Sequence, residues 1–124
     1  LDQELDMNRF CRRMADTMLA VRDEAGAQVF PTGGTRVFAL PAPYYAVADG
    51  KRDYSFMYLN LRMGKGRTDA TKKIAGETIS TRARELFAPL FEARHLGLTV
   101  QVDEGQEAFD AKHSNLHPLF NKTT

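Results

Sequence analysis

The sequence of 124 residues predicts an α+β fold with its elements in the order α-β-β-α-β. Two stretches have apolar residues at three- and four-residue spacing, which is typical of helices. Three shorter stretches are rich in β-branched, aromatic and aliphatic residues, which is typical of strands. We expect one domain over 1–124, with a helix at 6–22, strands at 35–41 and 54–63, a helix at 69–93, a strand at 96–103 and a docking tail at 104–124.

The first helix is predicted by one apolar face, and Asp6 is a plausible N-cap. That face consists of Met7, Phe10, Cys11, Met14, Met18 and Val21. The stretch EAGAQVFPTGG contains three glycines and a proline, so it predicts a loop. The next stretch, TRVFALP, predicts the strand at 35–41, which Pro41 ends or bends.

The strand at 54–63, YSFMYLNLRM, is the clearest in the chain and has apolar side chains on both faces, so we expect both faces to be covered. In the helix at 69–93, Pro89 predicts a kink or a break. The tail is polar with four apolar anchors, which suggests that it docks on something such as a neighbouring subunit. These anchors are Phe109, Leu116, Leu119 and Phe120.

The two halves of the chain are unequal. The second half reads strand, helix, strand, whereas the first half has a helix and one strand. A strand placed before Leu5 would make them equivalent, as two consecutive βαβ units. We therefore expect that a first strand is missing from this chain.

Composition argues against several classes of function. The formal net charge is +1, so we expect no general nucleic-acid or membrane partner. The single cysteine, Cys11, forms no internal disulfide, which fits a reducing cytoplasm, and its place on the apolar face predicts a packing role. The three histidines lack the spacing and partners of a metal site, so we expect no metal.

A basic loop precedes the second predicted helix. Lys65 and Arg67 approach the first turn and Lys72 and Lys73 lie in it, although helix N-termini disfavour cations. A strand that enters a helix through a glycine-rich turn is typical of an anion site. The nucleotide-binding glycine motifs are absent, and a simply solvated basic loop remains an alternative.

A second arginine, Arg36, follows another glycine pair at the start of the strand at 35–41. It too could be merely solvated. If Arg36 and Arg67 occupy matching places in the two halves, they would suit a dianionic organic acid better than a monoanion, because a guanidinium grips a carboxylate with two parallel hydrogen bonds.

Four stretches together resemble a known family. FPTGGTR, ADGKRDYSFMYLNLRMGKGRT, RHLGLTVQV and AKHSNLHPLF, in this order, resemble the 5-carboxymethyl-2-hydroxymuconate isomerases of the tautomerase superfamily. The resemblance runs from about Asp6 to Phe120. The stretch AVRDEAGAQV is longer than the corresponding loop and matches poorly.

The resemblance implies two βαβ units around a mixed sheet with two helices on one face, assembled as a homotrimer. It implies an isomerase that needs no cofactor and converts a 2-hydroxy-dienoate with several carboxylates into a 2-oxo-enoate, in the bacterial breakdown of homoprotocatechuate. Arg67 matches the arginine that meets a substrate carboxylate, and Arg36 matches an arginine near the same pocket.

The resemblance also implies a general base that this chain does not contain. In the family the base is an amino-terminal proline, whose amine can be neutral near pH 7. The chain starts at Leu1 and its five prolines are internal, so we expect no catalytic residue within it and a proline upstream. A non-catalytic trimeric ligand-binding module on the same scaffold is the alternative.

Overall fold

The computed structural model describes residues 5–120, which contain two helices and a two-stranded parallel sheet. The predicted α+β class is confirmed. The elements are α1 (Met7–Ala20), β1 (Tyr54–Met63), α2 (Asp69–Ala93) and β2 (His95–Glu104). Two short 3₁₀ turns complete them, the 32–34 turn (Thr32–Gly34) and the 117–119 turn (His117–Leu119).

Helix α1 begins where the sequence predicts. The Asp6 carboxylate accepts a hydrogen bond of 3.0 Å from the backbone N–H of Arg9, so Asp6 is the N-cap. Phe10 and Met14 are buried on the predicted apolar face, and Cys11 is half-buried. The helix ends at Ala20 because the chain turns at Val21 and runs back through a short hairpin, where the N–H of Val29 bonds to the carbonyl of Val21.

The strand predicted at 35–41 is wrong for the described chain. These residues have no ladder partner among residues 5–120 and belong to no strand. Composition gives a β preference, but a strand exists only when another strand takes up its N–H and carbonyl groups. The described sheet is accordingly parallel rather than mixed.

β1 and β2 pair in parallel, from Tyr54 opposite His95 to Met63 opposite Glu104. One face of β1 joins the core through Leu61 and Met63. The other face carries Phe56 and Tyr58, which are 39% and 69% exposed, so the described chain covers only one of the two faces that we expected to be covered.

Helix α2 is continuous from Asp69 to Ala93, so Pro89 does not break it, and the alternative of a kink stays a prediction. Proline removes one backbone hydrogen bond, and here it lies in the last turns, where little helix remains to be lost. Upstream of it, Phe87 is buried and stacks on Phe10 of α1 with ring centroids 4.6 Å apart. This contact joins the two helices in one core with β1.

The tail does not bury its predicted anchors. Phe109, Leu116, Leu119 and Phe120 are exposed, and positions 121–124 of the predicted docking tail lie outside the described residues. The 117–119 turn instead packs on the 32–34 turn. No helix in the described part of the chain combines the length and apolar character that crossing a bilayer requires.

Candidate functional site

The loop between β1 and α2 places Arg67 at the carboxyl end of β1. Gly66 has a φ of 98°, a left-handed conformation that glycine adopts without steric cost. Thr68 then caps α2, since its hydroxyl accepts a hydrogen bond of 3.1 Å from the N–H of Thr71. Arg67 is therefore the residue directly before the N-cap, held between a tight turn and a capped helix.

Arg67 is half-buried, and its Nη2 donates a hydrogen bond of 2.5 Å to the backbone carbonyl of Val29. Val29 lies in the core. A guanidinium has five N–H donors, and this bond uses one of them. Arg67 is thus fixed to the segment that leads into Arg36, with donors left for a ligand.

The segment from Gln28 to Thr35 is held by its own hydrogen bonds. Gln28 Nε2 donates to the carbonyl of Phe30 at 2.7 Å, and the Thr35 hydroxyl donates to the carbonyl of Pro31 at 2.9 Å. The backbone N–H groups of Gly34 and Thr35 close the 32–34 turn. Thr35 caps this turn and Arg36 comes next in the chain, so the turn fixes the backbone just before Arg36.

Arg36 is exposed and makes no hydrogen bond or ion pair with another of residues 5–120. The structure joins Arg67 to the segment before Arg36 but gives the two guanidinium groups no direct contact. Neither arginine lines the groove described below. A shared carboxylate pocket therefore stays a prediction.

Carboxylates of the same chain lie near the two lysines in the first turns of α2. Lys72 Nζ lies 3.1 Å from Glu104 Oε1 and 3.2 Å from Asp69 Oδ1, and hydrogen bonding to Glu104, then to Asp69, raises the pKa of Lys72. Lys73 Nζ lies 3.9 Å from Glu77 Oε1. Carboxylates of the same chain therefore supply the negative charge at this helix start.

An open groove of about 520 Å³ lies at the carboxyl ends of the two strands. Its lining combines cations and carboxylates: Arg62, Lys72, Val102, Asp103, Glu104 and Gln106. Arg62 also forms an ion pair with Glu107. No motif in the sequence marks Arg62 or Glu104, and the parallel pairing of β1 and β2, with Arg62 opposite Asp103, is what places them at the same end of the sheet.

The opposite end of the sheet has structural hydrogen bonds. Asp49 Oδ1 accepts from the Lys51 N–H at 3.0 Å and from the Tyr54 hydroxyl at 2.8 Å. These bonds, the backbone one first, lower the pKa of Asp49. Within residues 5–120, no three His, Cys, Asp or Glu side chains are grouped as a metal site would require.

Comparison with known sequences decides the family. The family model described as 5-carboxymethyl-2-hydroxymuconate isomerase matches residues 1–120. The chain belongs to the 5-carboxymethyl-2-hydroxymuconate isomerase family. The 5-carboxymethyl-2-hydroxymuconate Delta-isomerase of Escherichia coli is 31% identical over 96 residues, which cover 77% of this chain and 76% of that protein.

Solved structures of the family share the fold. The crystal structure of a 5-carboxymethyl-2-hydroxymuconate delta-isomerase superposes with a TM-score of 0.91 at 55% identity, over 99% of this chain and 87% of that one. The 5-carboxymethyl-2-hydroxymuconate isomerase from Deinococcus radiodurans R1 gives a TM-score of 0.83 at 29% identity, over 94% and 84% of the two chains.

Proposed function

We propose that this protein is a cofactor-free isomerase that converts the 2-hydroxy-dienoate form of a 2-hydroxymuconate-type di- or tricarboxylic acid into its 2-oxo-enoate form. The observation that carries the proposal is the position of Arg67. Its half-buried guanidinium lies at the carboxyl end of β1 and is hydrogen-bonded to the segment that leads to Arg36. Membership of the isomerase family supports the reaction class.

Arg67 binds one substrate carboxylate in this proposal, and Arg36 contributes to the same pocket. The bond to Val29 holds Arg67 by one donor while the remaining donors can grip a carboxylate through two parallel hydrogen bonds. Arg36 has no carboxylate partner among residues 5–120, so its charge is not already neutralised by the described chain. Two such cations favour a substrate with more than one carboxylate.

The base that we propose is the amino-terminal proline that the family resemblance implies. The five prolines within 1–124 all have acylated nitrogens, which cannot accept a proton near neutral pH. A secondary amine next to guanidinium groups has a lowered pKa, and a base whose pKa is near the working pH suits proton transfer. Intact mass and amino-terminal sequencing of the natural protein test this part.

The assembly that we propose is a homotrimer. The uncovered face of β1, with Phe56 and Tyr58, and the exposed Tyr45 that contacts Phe56 edge-on, form an aromatic surface that other copies of the chain would cover. Sedimentation equilibrium should give three times the chain mass, and Tyr58→Glu should weaken the assembly. A monomer at micromolar concentration contradicts this part.

The setting that we propose is the breakdown of aromatic compounds, including homoprotocatechuate, in the cytoplasm. The single cysteine, which forms no intrachain disulfide, supports a reducing compartment. Fractionation of the source cells, with the protein detected by antibody, tests the compartment.

The activity test is ketonisation of 2-hydroxymuconate, followed by its ultraviolet absorbance, with the natural full-length protein. Because a charge-assisted contact contributes about 1.5–3 kcal/mol, Arg67→Ala should raise KM roughly 10- to 150-fold. Arg67→Lys, which keeps the charge but not the planar fork, should fall between Ala and wild type. The control is Arg84→Ala, an exposed arginine further along α2.

Two results would contradict the proposal. A wild-type rate no higher than buffer removes the isomerase. An active enzyme in which Arg67→Ala leaves KM unchanged removes the assigned role of Arg67 but keeps the reaction.

A further inference from the structure

The 117–119 turn and the 32–34 turn touch at a glycine pair. The ideal position of a Cβ on Gly33 lies 2.7 Å from the Cα of His117 and 2.9 Å from its backbone nitrogen. The same position on Gly34 lies 3.2 Å from Cε1 of the His117 ring. The backbone of one turn therefore lies directly against the backbone and ring of the other.

Backbone conformation does not explain these two glycines. The glycines with a positive φ in the described chain are Gly26, Gly50 and Gly66, so Gly33 and Gly34 adopt angles that other residues also reach. What they provide is close approach, since a side chain at Gly33 has no room beside His117. The glycine pair thus leaves the space in which His117 packs.

The 117–119 turn is held by its own hydrogen bonds. The N–H of Leu119 bonds to the carbonyl of Leu116, and that of Phe120 bonds to the carbonyl of His117. Pro118 fixes the backbone within the turn, and the Leu116 N–H bonds to the Ser114 hydroxyl. His117 is the half-buried residue of this turn, whereas its neighbours are exposed.

The segment that carries Arg36 is consequently held from two sides. Arg67 binds the carbonyl of Val29 at its start, and His117 packs on Gly33 and Gly34 near its end. Thr35 and Arg36 follow the packed glycines directly. We propose that His117 is a positioning residue, which fixes the 32–34 turn and through it the direction in which Arg36 meets the substrate. This inference rests on the proposed function, because Arg36 is assigned to substrate there.

The test compares His117→Ala and His117→Phe with wild type in the full-length protein. Because small displacements of a binding group lower affinity for the substrate, His117→Ala should raise KM about five- to tenfold and leave kcat within about twofold. Phe keeps a flat ring on Gly34 and should restore KM. The control is His113→Ala, since His113 is an exposed histidine of the same tail.

Hydrogen exchange gives a readout that does not need activity. The N–H groups of Gly34 and Thr35 bond within the 32–34 turn, so their exchange reports its opening. Exchange at these amides should be several-fold faster in His117→Ala than in wild type or His113→Ala. Any effect of Gly34→Ala on KM should be smaller in His117→Ala than in wild type, because the ring that the new Cβ would meet is gone.

Unchanged exchange in His117→Ala would overturn the proposal, and so would faster exchange with an unchanged KM. A KM that rises equally in His113→Ala would do the same, because the effect would then belong to the tail in general. An inactive wild-type enzyme overturns the proposed function, and with it the substrate part of this inference. The exchange result then still decides whether His117 holds the turn.

Discussion

Phe87 is 1% exposed and stacks on Phe10 at an interplanar angle of 27°, so its removal should destabilise the domain strongly. Truncating a fully buried phenylalanine to alanine costs about 3–5 kcal/mol, since apolar burial is lost and a cavity remains. We expect about 4 kcal/mol for Phe87→Ala. With a urea m-value of about 2 kcal/mol/M, the unfolding midpoint should fall by about 2 M.

The assay is equilibrium urea unfolding followed by far-ultraviolet circular dichroism. All variants are measured at one protein concentration, because subunit assembly would make stability depend on it. Phe91→Ala is the matched control: the same residue type one turn further along α2, but 41% exposed. It should cost less than about 1 kcal/mol.

A double-mutant cycle isolates the ring contact. Stacked aromatic pairs contribute about 0.5–1.5 kcal/mol beyond their area, so Phe10→Ala and Phe87→Ala should be non-additive by about that amount. Strict additivity would show that the stacking adds nothing. A Phe87→Ala midpoint shift no larger than that of Phe91→Ala would refute the placement of Phe87 at the centre of the core.

The remaining predictions concern two hydrogen bonds, Thr71 to Glu24 and Tyr54 to Asp49. Thr71 is buried and its hydroxyl donates to Glu24 at 2.7 Å, so Thr71→Val should lower the free energy of unfolding by about 1–2 kcal/mol, against less than about 0.5 kcal/mol for Thr78→Val at an exposed site. The hydrogen bond to Asp49 raises the pKa of Tyr54, so Asp49→Asn should bring it back towards 10.0 in a tyrosinate absorbance titration. The pKa of Asp49 in the folded protein lies below its ordinary 3.8, so the contribution of this carboxylate to stability is present above pH 3.8 and is lost as the pH falls through the folded pKa. Wild type should therefore lose more stability on acidification than Asp49→Asn. Equal losses in urea unfolding would contradict this.

The helices and the paired strands were predictable because their signals are local. The bounds of β1 and α2 agree with the predicted 54–63 and 69–93, and Asp6 caps α1 as predicted. Predicted and observed β2 differ by one residue at each end. In each case a few neighbouring residues carry the whole signal.

Long-range contacts could not be predicted from the sequence. A strand at 35–41 needs a partner, and composition cannot supply one. The charge of Lys72 is matched by Glu104, which is 32 residues away and enters the site only because β1 and β2 pair in parallel. The contact of Arg67 with Val29 spans 38 residues and involves a backbone carbonyl, which no residue pattern marks.

The backbone carbonyl of Val29 determines which substitutions position 29 can accept. Every amino acid carries the same oxygen at position 29, so replacing Val29 leaves the acceptor of Arg67 in place. Substitutions there should be tolerated or rejected according to volume, because the side chain lies in the core. In a saturation library, residues of about the volume of valine at position 29 would keep the contact with Arg67, whereas an insertion or deletion in the preceding hairpin would displace the oxygen.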